Sequence, residues 1–356
     1  MIDRRTFLQS SLAASAAVGL AGSAAAAPSA RVTVRCGMIG IDHAHALDVL
    51  EEILKSDDFE LVGICEPDDA IREAKKDAPI LQGLPWVTED VLLNDRTIQV
   101  IVVETGVTRL LQYGRVAIDA GKHLHIDKPP GTSLTEWKAL LDAAEAKNLI
   151  VQMGYMYRYN PGFDLIRQAV NEGWLGDIYS IQASMCTGLP PERRAQMAIH
   201  PGGIMLELGC HLIDMICVIM GPPQKVTPFL RHDAPTEEGL ADNCLAVLEY
   251  ENAMAAVEVA ALEPAAFPTR RFKIVGPKGK IILEPIEPPK IRMYLSEAAG
   301  GYEKGWNDIE LPDLPRHARD LADLAACVKG SAEFAYSKEH DYQVQRTVLR
   351  ACGEDV

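Results

Sequence analysis

Between residues 31 and 153 the sequence repeats one unit, an apolar run, a turn and an amphipathic stretch, and few folds accommodate that alternation. Short apolar runs at residues 32–39, 59–65, 99–103, 123–126 and 149–153 read as strands. Four to eight apolar residues bounded by turn residues suit a strand covered on both faces. The stretches between them predict helices over 46–55, 67–76, 88–93, 108–120 and 134–147, with a short strand at Trp86-Val87. Strands that alternate with helices need crossover connections, so the expectation is a parallel, doubly wound sheet, α/β in class.

After Gly154 the pattern changes. A helix over 162–171 leads to a strand at 178–185, a polar loop and a helix over 203–220. Period-two runs follow at 245–250, 255–261, 271–276 and 280–283, which predict an open, mainly antiparallel sheet. Gly276-Pro277-Lys278-Gly279 suits a tight hairpin turn. Helices over 316–329 and 338–352 close the chain. A length of 356 residues exceeds what one core usually serves, so two domains are expected, at 31–152 and 153–356, after an N-terminal segment 1–30.

Segment 1–30 carries Arg4-Arg5 followed by a weakly apolar Ala/Ser/Gly/Leu run ending at Ala27-Pro28. It resembles a twin-arginine signal, which implies the twin-arginine export machinery as a partner and a periplasmic or extracytoplasmic location. Ser and Gly interrupt the run, so no stable membrane span is expected. The formal net charge of −15 disfavours nucleic acid, whose phosphates call for clustered Lys and Arg. The eight cysteines contain no Cys-x-x-Cys pair and read as small buried hydrophobes.

The first strand runs into Gly40-Ile41-Asp42-His43-Ala44-His45. A dinucleotide fingerprint would be Gly-x-Gly-x-x-Gly, and here Asp42 and His45 replace its second and third glycines. Glu66 stands at the end of the second strand, where a carboxylate accepts ribose hydroxyls and repels a 2′-phosphate, favouring NAD over NADP.

Three further segments carry a resemblance. Asp127-Lys128-Pro129 is similar to the Glu-Lys-Pro segment of the Gfo/Idh/MocA oxidoreductases (glucose-fructose oxidoreductase, inositol dehydrogenase, rhizopine catabolism). Gly202-Gly203, Glu207, His211 and Asp214 resemble that family's second motif, and Met153 to Pro161 its domain junction. The resemblance implies a Rossmann-like first domain binding NAD through Gly40, Ile41, Asp42, His43, Glu66, Thr105, Gly106, Asp127 and Lys128. It implies Lys128 and His211 as catalytic groups, His211 moving the proton of a substrate hydroxyl and Lys128 bonding the reacting oxygen, with Glu207 orienting the imidazole or contacting a neighbouring hydroxyl. Tyr155, Arg158, His200 and Asp214 are the expected substrate-side residues, Arg158 also being a candidate bridge between domains. A sugar, inositol or related polyol is the implied substrate, and a homo-oligomer, dimer or tetramer, the implied assembly.

Helical spacing puts Glu207, His211 and Asp214 along one face. The chain departs from the pattern at Asp42, where a carboxylate faces the cofactor's own negative charge, and at Thr105-Gly106, where Thr-Pro is usual. Export removes the protein from a replenished cofactor pool, which favours tightly held NAD. Three functions follow: a polyol oxidoreductase, a redox-neutral glycosidase or lyase on the same fold, or a non-catalytic binding protein. A metal reading of His43-Ala44-His45 with His123-Leu124-His125 is set aside, because it leaves Lys128 and His211 unexplained.

Overall fold

A computed structural model describes residues 32–356; the twin-arginine segment lies outside the described residues. Five parallel strands form the first sheet: β1 (Val34–Ile39), β2 (Phe59–Cys65), β3 (Val100–Val103), β4 (His123–Ile126) and β5 (Val151–Met153), in the order β2-β1-β3-β4-β5. Their connections carry α1 (Ala46–Lys55), α2 (Asp69–Lys75), α3 (Glu89–Asn94), α4 (Leu110–Asp119) and α5 (Leu134–Ala146). Ala46, Val49, Leu50 and Ile53 of α1 recur at helical spacing and are the residues it buries. Ser133 starts α5 by accepting the Glu136 N–H. Trp86 pairs with Ile64 as a single bridge rather than as a strand.

The second sheet has eight strands in the order β13-β12-β11-β10-β6-β9-β8-β7. They are β6 (Ser180–Ser184), β7 (Lys225–Arg231), β8 (Asn243–Glu249), β9 (Met254–Ala260), β10 (Arg271–Gly276), β11 (Gly279–Leu283), β12 (Lys290–Leu295) and β13 (Gly305–Glu310). Every pairing is antiparallel except β6 with β9. Gly276 pairs with Gly279 across the expected hairpin turn. One face of the central strands is buried under α6 (Pro161–Asn171), α8 (Cys210–Met220) and α10 (Lys338–Ala351). The polar loop ahead of α8 holds an additional short helix, α7 (Pro191–Met197).

The fold is therefore the expected parallel Rossmann sheet followed by a mainly antiparallel α+β unit. α9 (Ala318–Val328), far along the chain, returns to the first sheet. Its Leu321, Leu324 and Ala325 share a core with Val34, Met38, Val100 and Val102. α9 thus joins α1 in covering one face of the parallel sheet. This return brings His317 and Asp320 to the strand ends where the candidate site lies.

Candidate active site

Ligands of a doubly wound sheet lie beyond the carboxyl ends of its strands, where neighbouring connections diverge, and here that point is between β1 and β3. Gly40 ends β1 with φ +89°, and a Cβ there would fall 2.6 Å from the Thr105 nitrogen. Only glycine allows that turn to press against the end of β3. Beside it, Ile41 N–H donates to Glu66 Oε2 (2.8 Å) and Asp68 N–H to Glu66 Oε1 (3.0 Å), fixing the carboxylate at the tip of β2. Each oxygen keeps a second lone pair. Asp42 lies against Gly106, its Oδ2 2.8 Å from where a Cβ would stand. Arg109 faces all three carboxylates, 3.7 Å from Asp42, 3.8 Å from Glu66 and 3.9 Å from Asp68, so a cation offsets the charge that Asp42 turns toward a phosphate. Glycine turn, ribose-level carboxylate and Thr105-Gly106 fit a dinucleotide, and Arg109 is a site residue that its sequence context gave no reason to choose.

His43 and Asp127, expected on the cofactor, are engaged with each other instead. Asp127 is fully buried, and its Oδ1 accepts the Lys128 N–H at 2.6 Å. His43 Nδ1 touches its Oδ2, and His45 Nδ1 lies 3.2 Å from the same oxygen. A carboxylate so enclosed is turned away from a dinucleotide. Burial would raise its pKa, but His43 and His45 together hold it well below the ordinary range. Gly154 permits this packing, since a Cβ there would meet Asp127 Oδ1 at 2.6 Å.

Behind Asp127 lies a polar layer that the sequence does not announce. Glu104, fully buried, sits 3.7 Å from His43 Nδ1 and 3.6 Å from His125 Nε2. Burial, then the Asp127 charge, push its pKa well above the usual carboxylate value. His125 Nδ1 pairs with Gln152 Oε1 (2.8 Å), and Gln152 Nε2 donates to the Asp320 carbonyl (2.8 Å). His317, at φ +62°, contacts Asp320 Oδ2 through Nδ1 (3.2 Å) and brings its ring within 5.3 Å of His45. His123 lies apart, its Nδ1 accepting the Ile150 N–H.

The catalytic candidates come together across the two sheets. Lys128 Nζ is 3.0 Å from Glu207 Oε1 and 3.2 Å from the Glu207 carbonyl. Burial disfavours the Lys128 charge, but Glu207 outweighs it and raises the pKa above the ordinary lysine value. Burial likewise opposes ionisation of Glu207, and Lys128, followed by His43, brings it down to about 2. The pair is therefore charged at neutral pH. The His211 ring lies 5.1 Å from Tyr157, 6.0 Å from Tyr155 and 6.1 Å from His45. Burial, then Lys128, depress its pKa well below the usual value, which leaves a neutral imidazole able to accept a proton.

Glu207, His211 and Asp214 do not share one face as α-helical spacing predicts. Met205–Gly209 form a π turn ahead of α8, which shifts the phase of Glu207 relative to the helix that follows. Asp214 points away to Arg158, whose Nη2 donates to Asp214 Oδ1 and to Asp341 Oδ1, each at 2.6 Å. All three are buried, and the Arg158 guanidinium also lies over Tyr336. Arg158 and Asp214, expected on the substrate side, are thus committed to an ion cluster behind α8. Tyr155, Tyr157 and Tyr159 fall in and around a 3-10 turn, not an extended segment, and only Tyr155 and Tyr157 face His211. His200 is half-buried, with its pKa lowered by burial and partly restored by Glu207.

Comparison with known proteins identifies the family of both domains. Residues 34–155 match the oxidoreductase family with NAD-binding Rossmann fold, and residues 163–282 match the Gfo/Idh/MocA C-terminal domain. Two curated relatives come from Bacillus subtilis (strain 168). The chain is 26% identical to its scyllo-inositol 2-dehydrogenase (NADP(+)) over 259 residues, 70% of this chain and 68% of that one. It is 26% identical to its scyllo-inositol 2-dehydrogenase (NAD(+)) over 265 residues, 70% and 73% of the two chains. An NAD-binding oxidoreductase from Klebsiella pneumoniae superposes with a TM-score of 0.78 at 16% identity, covering 90% of this chain and 95% of that one. With both domains matched in order and the Lys128, Glu207 and His211 constellation assembled between them, the chain belongs to the Gfo/Idh/MocA family of NAD(P)-dependent oxidoreductases.

Proposed function

We propose that the protein oxidises or reduces a secondary alcohol of a sugar, inositol or related polyol, using tightly held NAD. The observation that carries this reading is the buried Lys128–Glu207 ion pair beside a neutral His211 at the carboxyl edge of the dinucleotide sheet. The nicotinamide supplies the hydride acceptor or donor. In the oxidative direction His211 takes the proton of the substrate hydroxyl. Lys128, kept charged by Glu207, bonds the reacting oxygen as negative charge develops there. Tyr155 and Tyr157 wall the imidazole and limit its access to water. Glu66, with both oxygens anchored, favours the unphosphorylated ribose and hence NAD, a preference the two Bacillus relatives divide between them.

Tight retention suits a protein working outside the cytoplasm, and we assign the Arg4-Arg5 segment that role on its composition. An assay with inositols, aldoses and their keto counterparts, following nicotinamide absorbance with each nucleotide, tests the proposal. At least one polyol should turn over, with an acid limb in kcat below the ordinary histidine range because the base is depressed. No change with any substrate in the presence of bound or added nucleotide overturns it.

A further inference from the structure

We propose that His43, His45 and Asp127 bind one divalent transition-metal ion of the zinc or ferrous class, with Glu104 as an available fourth ligand. One ring nitrogen of each histidine and a carboxylate oxygen of Asp127 lie within 4.8 Å of one another. Tetrahedral ligands on one ion at about 2.1 Å stand roughly 3.4 Å apart, so on binding the widest pair closes by about 1.4 Å and the His43–Asp127 contact opens, both by side-chain rotation.

The contacts inside the cluster gather nitrogen and oxygen atoms around one point. His43 Nδ1 accepts the His45 backbone N–H at 3.2 Å, a bond that an ion on this nitrogen would replace. The same nitrogen is in contact with Asp127 Oδ2. Asp127 Oδ2 meets the two imidazoles, and neither oxygen of Glu104 has a hydrogen bond among the described residues. Leaving buried carboxylate oxygens unmatched is costly, and an ion at their centre removes that cost.

The surroundings supply what a metal site requires. Asp127 Oδ1 is occupied by the Lys128 N–H, which orients the carboxylate and leaves Oδ2 for the ion. The adjacent Lys128 ammonium is neutralised by Glu207, so it does not exclude a second cation. Two imidazoles with one or two carboxylates select zinc or ferrous iron over magnesium or calcium, which take all-oxygen sets. His45 also stands at the third glycine of the dinucleotide pattern. Of the two His-x-His pairs, only His43 and His45 converge; His123 and His125 bond to Ile150 and Gln152.

The test is elemental analysis of full-length protein purified without chelators or a polyhistidine tag, with released nucleotide measured on the same sample. About one equivalent of zinc or iron per chain is expected, retained in His123→Gln and lost in both His45→Ala and Asp127→Asn. If those variants do not fold, stripped wild type is given Co2+; a visible d–d band and a raised Tm are expected. Equal metal in His45→Ala and wild type overturns the site. So does metal-free wild type that takes up no Zn2+, Fe2+ or Co2+. Nucleotide without metal contradicts this site alone and leaves the oxidoreductase reading standing.

Discussion

Lys128, at the end of the parallel sheet, and Glu207, in the π turn before α8, meet at 3.0 Å and join the two domains at the candidate site. The lysine's charge is thus set by a residue 79 positions away. Replacing Lys128 with Met should lower kcat by about 100- to 1,000-fold, the usual loss when one donor to a developing oxyanion is removed. Steady-state kinetics at fixed nucleotide checks this, and a change confined to KM would contradict the role.

The same pair makes stability depend on acid. Glu207 is held at about 2, below its unfolded value near 4.5, so its contribution is present above the unfolded value and is lost as pH falls toward 2. That shift corresponds to roughly 3 kcal/mol. Urea unfolding at pH 6 and pH 3 should show a smaller acid-induced loss in Glu207→Gln than in wild type.

Arg158 sits between Asp214 and Asp341, all three buried. Arg158→Met leaves two carboxylates without their cation, and removing one partner of such a cluster costs about 3–5 kcal/mol. Thermal unfolding should show a markedly lower Tm. An unchanged Tm with an altered KM would return Arg158 to the substrate side.

Gly40→Ala forces a side chain into a left-handed backbone and against the Thr105 nitrogen. It should cost more than about 1 kcal/mol and lose the dinucleotide, read by unfolding and by released nucleotide.

The parallel half was legible because its strands are buried on both faces, as in β3, where all four residues are covered. β7, β12 and β13 of the second sheet were not. β7, with Pro228 at its centre, and β13, with an intermediate and exposed alternation, bury too little to mark themselves as apolar runs. At the site, Lys128, Glu207 and His211 are carried by local motifs and could be read. The phase of Glu207 could not, because a π turn leaves no spacing signal. Glu104, Gln152, His317 and Asp320 belong together only through contacts across the chain, such as Gln152 with Asp320, 168 positions apart. Asp127 illustrates the limit: its place in the motif was readable, but its enclosure by His43 and His45 was not.

The most direct test of hydride chemistry at Lys128 and His211 is a single-turnover experiment on the nucleotide-loaded protein, with a polyol deuterated at the reacting carbon. The account predicts deuterium on the nicotinamide in wild type, with the rate cut at least about 100-fold in His211→Ala, in line with loss of a positioned acid–base group. Wild type that neither carries nor binds NAD or NADP, or equal transfer rates in wild type and His211→Ala, would contradict it.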